Sequence, residues 1–139
     1  MKNYLYPLVF ILALLASQSA DAQQVEYMEH VVLDELLIEY RWQAEHIFQR
    51  SGNAVLNLQM TNLTDSHLEV TFVVAFYRDG QIFQESSKNV YCFEPLQRRR
   101  AGRAGLRFLA EGVTMEDIKE EAFFWDVLIE EIREKWSCK

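Results

Sequence analysis

The chain has 139 residues, with 14 Lys and Arg against 21 Asp and Glu, for a formal net charge of −7. A length of this order, half of it apolar, suits one domain with one core and leaves little room for a second. The negative balance excludes nucleic acid as the general partner, because phosphate binding needs a basic face.

The first residues read as a leader. Lys2 gives a positive start, Leu8 to Ala16 form a short apolar run, and Ala20 and Ala22 stand at −3 and −1 of a cut before Gln23. A cationic start, a short apolar stretch and an A-x-A site mark a secretory signal peptide. The run is too short to span a bilayer, which needs about 20 residues. The alternative is an N-terminal anchor that stays attached. With no Cys near the cut, a lipid-modified start is disfavoured. Residues 1–22 are thus expected to be removed and residues 23–139 to form one exported domain. No second long apolar stretch follows, so no transmembrane segment is expected in the mature chain.

After the leader the alternation is strand-like. In "LLIEYRWQ", Ile38, Tyr40 and Trp42 share one face and Glu39, Arg41 and Gln43 the other, the period-two pattern of a strand. "RSGN" (50–53) signals a turn. "AVLNLQMTNL" (54–63) alternates again, and "TNLTDS" breaks it with turn-formers. "HLEVTFVVAFY" (67–77) is β-branched and aromatic, with Leu68, Val70, Phe72, Val74 and Phe76 on one face. Asp79-Gly80 then separates it from "QIFQES", a strong hairpin signal. "NVYCF" (89–93) and "AGLRFLA" (104–110) read as further strands.

The last third supports two readings. Thr114 followed by Asp117 resembles a capping box, so a short helix is expected over about residues 114–121. In residues 123–136, Trp125, Ile129, Ile132 and Trp136 make a helical stripe, whereas Phe123, Trp125, Val127 and Ile129 make a strand face. After so many strands, a helical turn followed by a closing strand is the favoured reading. The tryptophan stripe is expected in the core either way.

Six to seven short strands with turns between them predict an all-β, two-sheet antiparallel sandwich. The middle of the chain, "LNLQMTNLTDSHLEVTFVVAFYRDGQIFQES", about residues 55–86, combines a strand, an Asn-x-Thr turn, a long apolar strand and an aromatic-x-Asp-Gly hairpin. In this it resembles small secreted bacterial immunoglobulin-like domains, the FxLYD-type domains among them. The resemblance implies an immunoglobulin-like β-sandwich and an exported setting. It carries no active site, and a shared sandwich does not fix a function.

Cys92 and Cys138 are the two cysteines. In an oxidising compartment such a pair is most often a disulfide, here closing a loop of about 45 residues worth roughly 4 kcal/mol in the chain-entropy model. Two free thiols, or an intermolecular pair through Cys138, are the alternatives. C-x-x-C redox spacing is absent.

The most unusual stretch is "LQRRRAGRAGLRF", which holds Arg98, Arg99, Arg100, Arg103 and Arg107 in a hairpin or bulged connection. Arginine forks suit carboxylate, phosphate and sulfate groups, so these five are the candidate partner-binding residues, with an unknown protein or an anionic glycan as the partner. The competing reading is internal. Residues 111–134 hold nine acids against Lys119 and Arg133, and neighbouring strands would neutralise the arginines by cross-strand pairs.

Chemistry finds no comparable footing. His30, His46 and His67 are spaced 16 and 21 residues apart, unlike a zinc pattern. Glu120-Glu121 and Glu130-Glu131 are adjacent and diverge on a strand, unlike the facing carboxylates of a glycosidase. The serines lack G-x-S-x-G context. No cofactor is implied. Asn62-Leu63-Thr64 fits an N-glycosylation acceptor in an expected surface turn. The first functional expectation is therefore a non-catalytic binding module. The second is a structural or assembly subunit of an envelope complex, acting through β-strand addition. An enzyme such as a hydrolase comes third.

Overall fold

The computed structural model describes residues 26–46, 48, 52–102 and 105–139. The leader and its cleavage site, Arg103, Ala104 and part of the 50–53 turn lie outside the described residues. Among these residues nine strands follow in chain order: β1 (Met28–Val32), β2 (Leu36–Ala44), β3 (Ala54–Asn62), β4 (His67–Arg78), β5 (Gln81–Glu85), β6 (Asn89–Phe93), β7 (Arg98–Arg100), β8 (Arg107–Ala110) and β9 (Phe123–Lys135). The number exceeds the expected six to seven. β1 and β7 were not recognisable from sequence, being short and respectively exposed and all-arginine.

Two antiparallel sheets form, each built around one long strand. In the first, β3 pairs with β2 on one side and with β7 and then β8 along the other, while β1 extends the sheet beyond β2. In the second, β4 pairs with β9 on one side and with β5 and β6 along the other. The chain is all-β, and a single 3₁₀ turn is the only helical element among the described residues.

The alternation in β4 drives the packing. Leu68, Val70, Phe72, Val74 and Phe76 are buried against Leu36, Ile38, Leu56, Leu58 and Met60 of the first sheet, in one cluster shared by both sheets. Each such side chain contributes about 1.5–3 kcal/mol on leaving water. Asp79 and Gly80 both take positive φ, 51° and 77°, between the paired residues Arg78 and Gln81. This is the twist-matched two-residue hairpin that Asp-Gly favours.

The turn between β3 and β4 is closed by Asn62. Its Oδ1 accepts from the Thr64 amide and hydroxyl, both at 2.9 Å. Its Nδ2 donates to the Ser66 carbonyl at 2.7 Å and the Glu94 carbonyl at 2.9 Å. The side chain is fully buried, so the Asn62-Leu63-Thr64 acceptor pattern is shut into the turn rather than presented at the surface as expected.

The expected helix over 114–121 is reduced to one 3₁₀ turn, Asp117–Lys119. Thr114 and Asp117 do make the reciprocal bonds of a capping box: the Thr114 amide donates to Asp117 Oδ2 at 2.7 Å and the Asp117 amide to Thr114 Oγ1 at 3.2 Å. The helix stops because Glu120 is already extended, at ψ 141°, leading into β9.

The ambiguous tail is a strand of 13 residues. Trp125, Val127 and Ile129 lie opposite the inward Phe76, Val74 and Phe72 of β4, and Phe123, opposite Arg78 at the strand's end, is buried in the same core. Ile129 pairs with Phe72 but Glu131 with Thr71, leaving Glu130 as the extra residue of a β-bulge. That shift brings Ile132 back to the inner face opposite Val70. A one-residue insertion in a period-two pattern imitates the three-residue step of a helix, which is the origin of the apparent stripe. Trp136 departs from it, being fully exposed.

Cys92 and Cys138 are bonded, with sulfurs 2.03 Å and Cα atoms 5.5 Å apart. Because β6 and β9 flank β4 on opposite sides, the bond ties the two borders of the second sheet together.

Candidate functional site

The arginine run is resolved by strand alternation. β7 pairs with β3 through Arg98 opposite Thr61, Arg99 opposite Met60 and Arg100 opposite Gln59. Met60 is in the core, so Arg99 falls on the inner side and Arg98 and Arg100 on the outer face. The Arg99 guanidinium sits 5.5 Å from the Phe93 ring centre and 6.0 Å from that of Tyr91. Arg98 Nε donates to Thr61 Oγ1 at 3.3 Å.

β8 pairs with the same strand, β3, with Arg107 opposite Asn57 on the outer face. Ala101 donates to the Leu58 carbonyl and Leu58 to the Leu106 carbonyl, both at 2.9 Å. β7 and β8 therefore pair one after the other along the same side of β3. Gly105, at φ 73°, leaves room for Tyr91, whose hydroxyl would stand 2.7 Å from a Cβ built there.

Register sets these arginines in rows across the first sheet. One row reads Glu29, Glu39, Gln59, Arg100 and a second Arg41, Asn57, Arg107. An outer sandwich face is normally wet, yet Val55, Asn57 and Gln59 on β3 are only 1%, 3% and 4% exposed. Long side chains from both neighbouring strands cover them. Gln59 Nε2 donates to Glu39 Oε2, and the Arg41 guanidinium lies 4.8 Å over the Tyr27 ring. Asn57 Nδ2 is buried without a hydrogen-bond partner among the described residues, an arrangement that costs about 1–3 kcal/mol unless an acceptor is supplied.

A groove of about 430 Å³ opens on this face. Arg98 and Arg100 stand on β7 at one side, Gln59 on β3 in the middle, then Glu39 and Arg41 on β2, with Glu26 and Tyr27 just before β1 at the far side. Sequence reasoning found Arg98 and Arg100 from charge density. It did not associate Glu26, Tyr27, Arg41 or Gln59 with them, because only register joins residues so far apart in the chain.

The acidic tail makes no ion pair with the described arginines of the run. β9 belongs to the other sheet, and its acids pair elsewhere: Glu130 with Lys88 at 2.7 Å and Asp126 with His30 at 3.1 Å. Among the described residues Arg98, Arg99, Arg100 and Arg107 make no ion pair with a carboxylate. The cross-strand alternative raised by composition is thus not realised among the described residues.

The remaining candidates scatter. His30 stacks on Trp125, with ring centres 4.1 Å apart, while His67 opens β4 and His46 follows β2. Among the described residues no three His, Cys, Asp or Glu side chains gather as a metal site. No described helix is long and apolar enough to cross a membrane. No protein-family model, curated protein or solved structure matches this chain.

Proposed function

We propose that this protein is an exported, non-catalytic binding module with an immunoglobulin-like sandwich, and that the outer face of its first sheet holds an anionic group presented by a protein or a glycan. The observation that carries this reading is the outward placement of Arg98 and Arg100 on a groove, with Arg107 on the same face and no carboxylate among the described residues paired to any of the three. Export is supported by the leader-like residues 1–22 and by the Cys92–Cys138 bond, a kind of link that persists in oxidising compartments.

The test is a titration of ¹⁵N-labelled residues 23–139 with a pentaglutamate peptide and, separately, a sulfated oligosaccharide. Saturable amide shifts confined to β3 and β7, lost in Arg98→Ser/Arg100→Ser and weakened by salt, are the expected result. Equal shifts in the variant would remove the arginines from the site.

A second reading, assembly through β-strand addition, is favoured by β1. This border strand pairs only with β2 among the described residues and exposes Met28, Val31 and Val32. Its signature is a homo-oligomer in size-exclusion chromatography that dissociates when Val31 is replaced by Lys.

A further inference from the structure

The groove is basic on β7 and carries two acids against one cation, Arg41, on the side of β1 and β2, and that constrains its occupant more than the arginines of β7 alone. Glu26 and Glu39 lie on the side of β1 and β2, Arg98 and Arg100 on β7. Adjacent strands are about 4.8 Å apart, so β7 stands roughly 10 Å from β2 and roughly 14 Å from β1. A ligand carrying like negative charges along its whole length would meet Arg98 and Arg100 at one end and be repelled by Glu26 and Glu39 at the other. Complementary potential sets specificity in this way, through the repulsive end as much as the attractive one.

The geometry points to an extended peptide segment lying across the strands, its carboxylate on Arg98 and Arg100 and a basic side chain on Glu26 and Glu39. An extended chain advances about 3.3 Å per residue, so the two charges fall about three to four residues apart. Arginine forks accept a carboxylate in two parallel bonds. Gln59 between the charged sides offers an amide, and Tyr27 next to Glu26 a phenol, groups able to meet a peptide backbone. A peptide supplies both signs from ordinary side chains, whereas an acidic glycan supplies one. This inference rests on the reading of the face as an anion-binding surface and adds the second, cationic half of the ligand.

The experiment compares three probes on the ¹⁵N-labelled domain: pentaglutamate, and capped pentapeptides with a lysine and a glutamate at the ends of three serines, in both orders. Amide shifts of β3 and β7 give the dissociation constants, and thermal melts confirm that each variant is folded. One of the two mixed peptides is expected to bind wild type about tenfold more tightly than pentaglutamate, the effect of roughly one charge-assisted contact. Glu26→Gln/Glu39→Gln should cancel or reverse that preference while leaving pentaglutamate bound at least as well as before.

Pentaglutamate bound as tightly as either mixed peptide by wild type would overturn the two-ended groove and leave the anion-binding face standing. A preference untouched by the Glu→Gln pair would overturn it as well. No shift in β3 or β7 with any probe would remove both readings together.

Discussion

His30 Nε2 lies 3.1 Å from Asp126 Oδ1, and the His30 ring stacks on Trp125 with centres 4.1 Å apart. His30 sits in β1, at the border of the first sheet, while Trp125 and Asp126 belong to β9 of the second. Tyr40 closes the cluster, its ring 4.9 Å from Trp125. This clamp holds β1 to the body of the sandwich independently of its ladder with β2, and β1 leads directly from Glu26 and Tyr27 at the end of the groove.

His30→Ala should therefore loosen β1 before it unfolds the domain. A stacked ring contributes about 0.5–1.5 kcal/mol and a net hydrogen bond a similar amount, so β1 should lose about 1–2 kcal/mol of local stability. Amide hydrogen exchange at residues 28–32 should accelerate about tenfold, with β4 unaffected. Uniform acceleration across both sheets would show that His30 supports the whole core instead.

The alternation of β7 makes a sharper prediction within one tripeptide. Arg98 and Arg100 are exposed, so replacing both with Ser should leave the melting temperature nearly unchanged, within the small range usual for surface sites. Arg99 lies over Phe93 and Tyr91, and its stem covers apolar surface that serine would leave wet. Arg99→Ser should cost about 1–2 kcal/mol, from the lost cation–π contact and packing. Thermal melts of the three single variants decide it, and equal effects at 98, 99 and 100 would deny the alternation.

Local chemistry made the β3, β4 and β5 segments legible, because their alternation is long and their turns carry Asn or Asp-Gly. β9 was legible only in part, since the bulge at Glu130 breaks its period and mixes two patterns. β7 was hidden, because three arginines carry no apolar rhythm, although pairing with β3 still orients them alternately. The site was half visible: arginine density drew notice to 98–107, while Glu26, Glu39 and Gln59 join it only through the register of four strands. That register is set by core packing between distant segments, which no local motif reports.

Cys92 and Cys138 join the two borders of the second sheet across a sequence separation of 46. In the chain-entropy model a loop of that size stabilises the folded state by roughly 4 kcal/mol. Cys92→Ser/Cys138→Ser should lower the urea midpoint accordingly and release Trp136 and the residues after it. The titration of the groove should be unchanged, because the bond lies on the other sheet. A variant as stable as wild type would mean that the tail is held by β9 alone.

Acid should weaken the fold through Glu69 and Asp117. The Glu69 carboxylate on β4 is held below the usual glutamate range, first by the hydrogen bond from Arg133 and then, against partial burial, by Lys135 at 3.3 Å. Asp117 is lowered by the backbone amide and then the hydroxyl of Thr114. A carboxyl whose pKa falls on folding contributes stability that is complete above its unfolded value, about 4. That contribution is lost as pH falls through the lower folded value. Stability should thus decline from about pH 4.5 downward. Glu69→Gln should be less stable than wild type at neutral pH and converge with it in strong acid. Urea midpoints of both proteins at neutral pH, near pH 4 and near pH 2.5 give the comparison. A difference that stayed constant to the lowest pH would mean that Glu69 stabilises β9 by packing and not by charge.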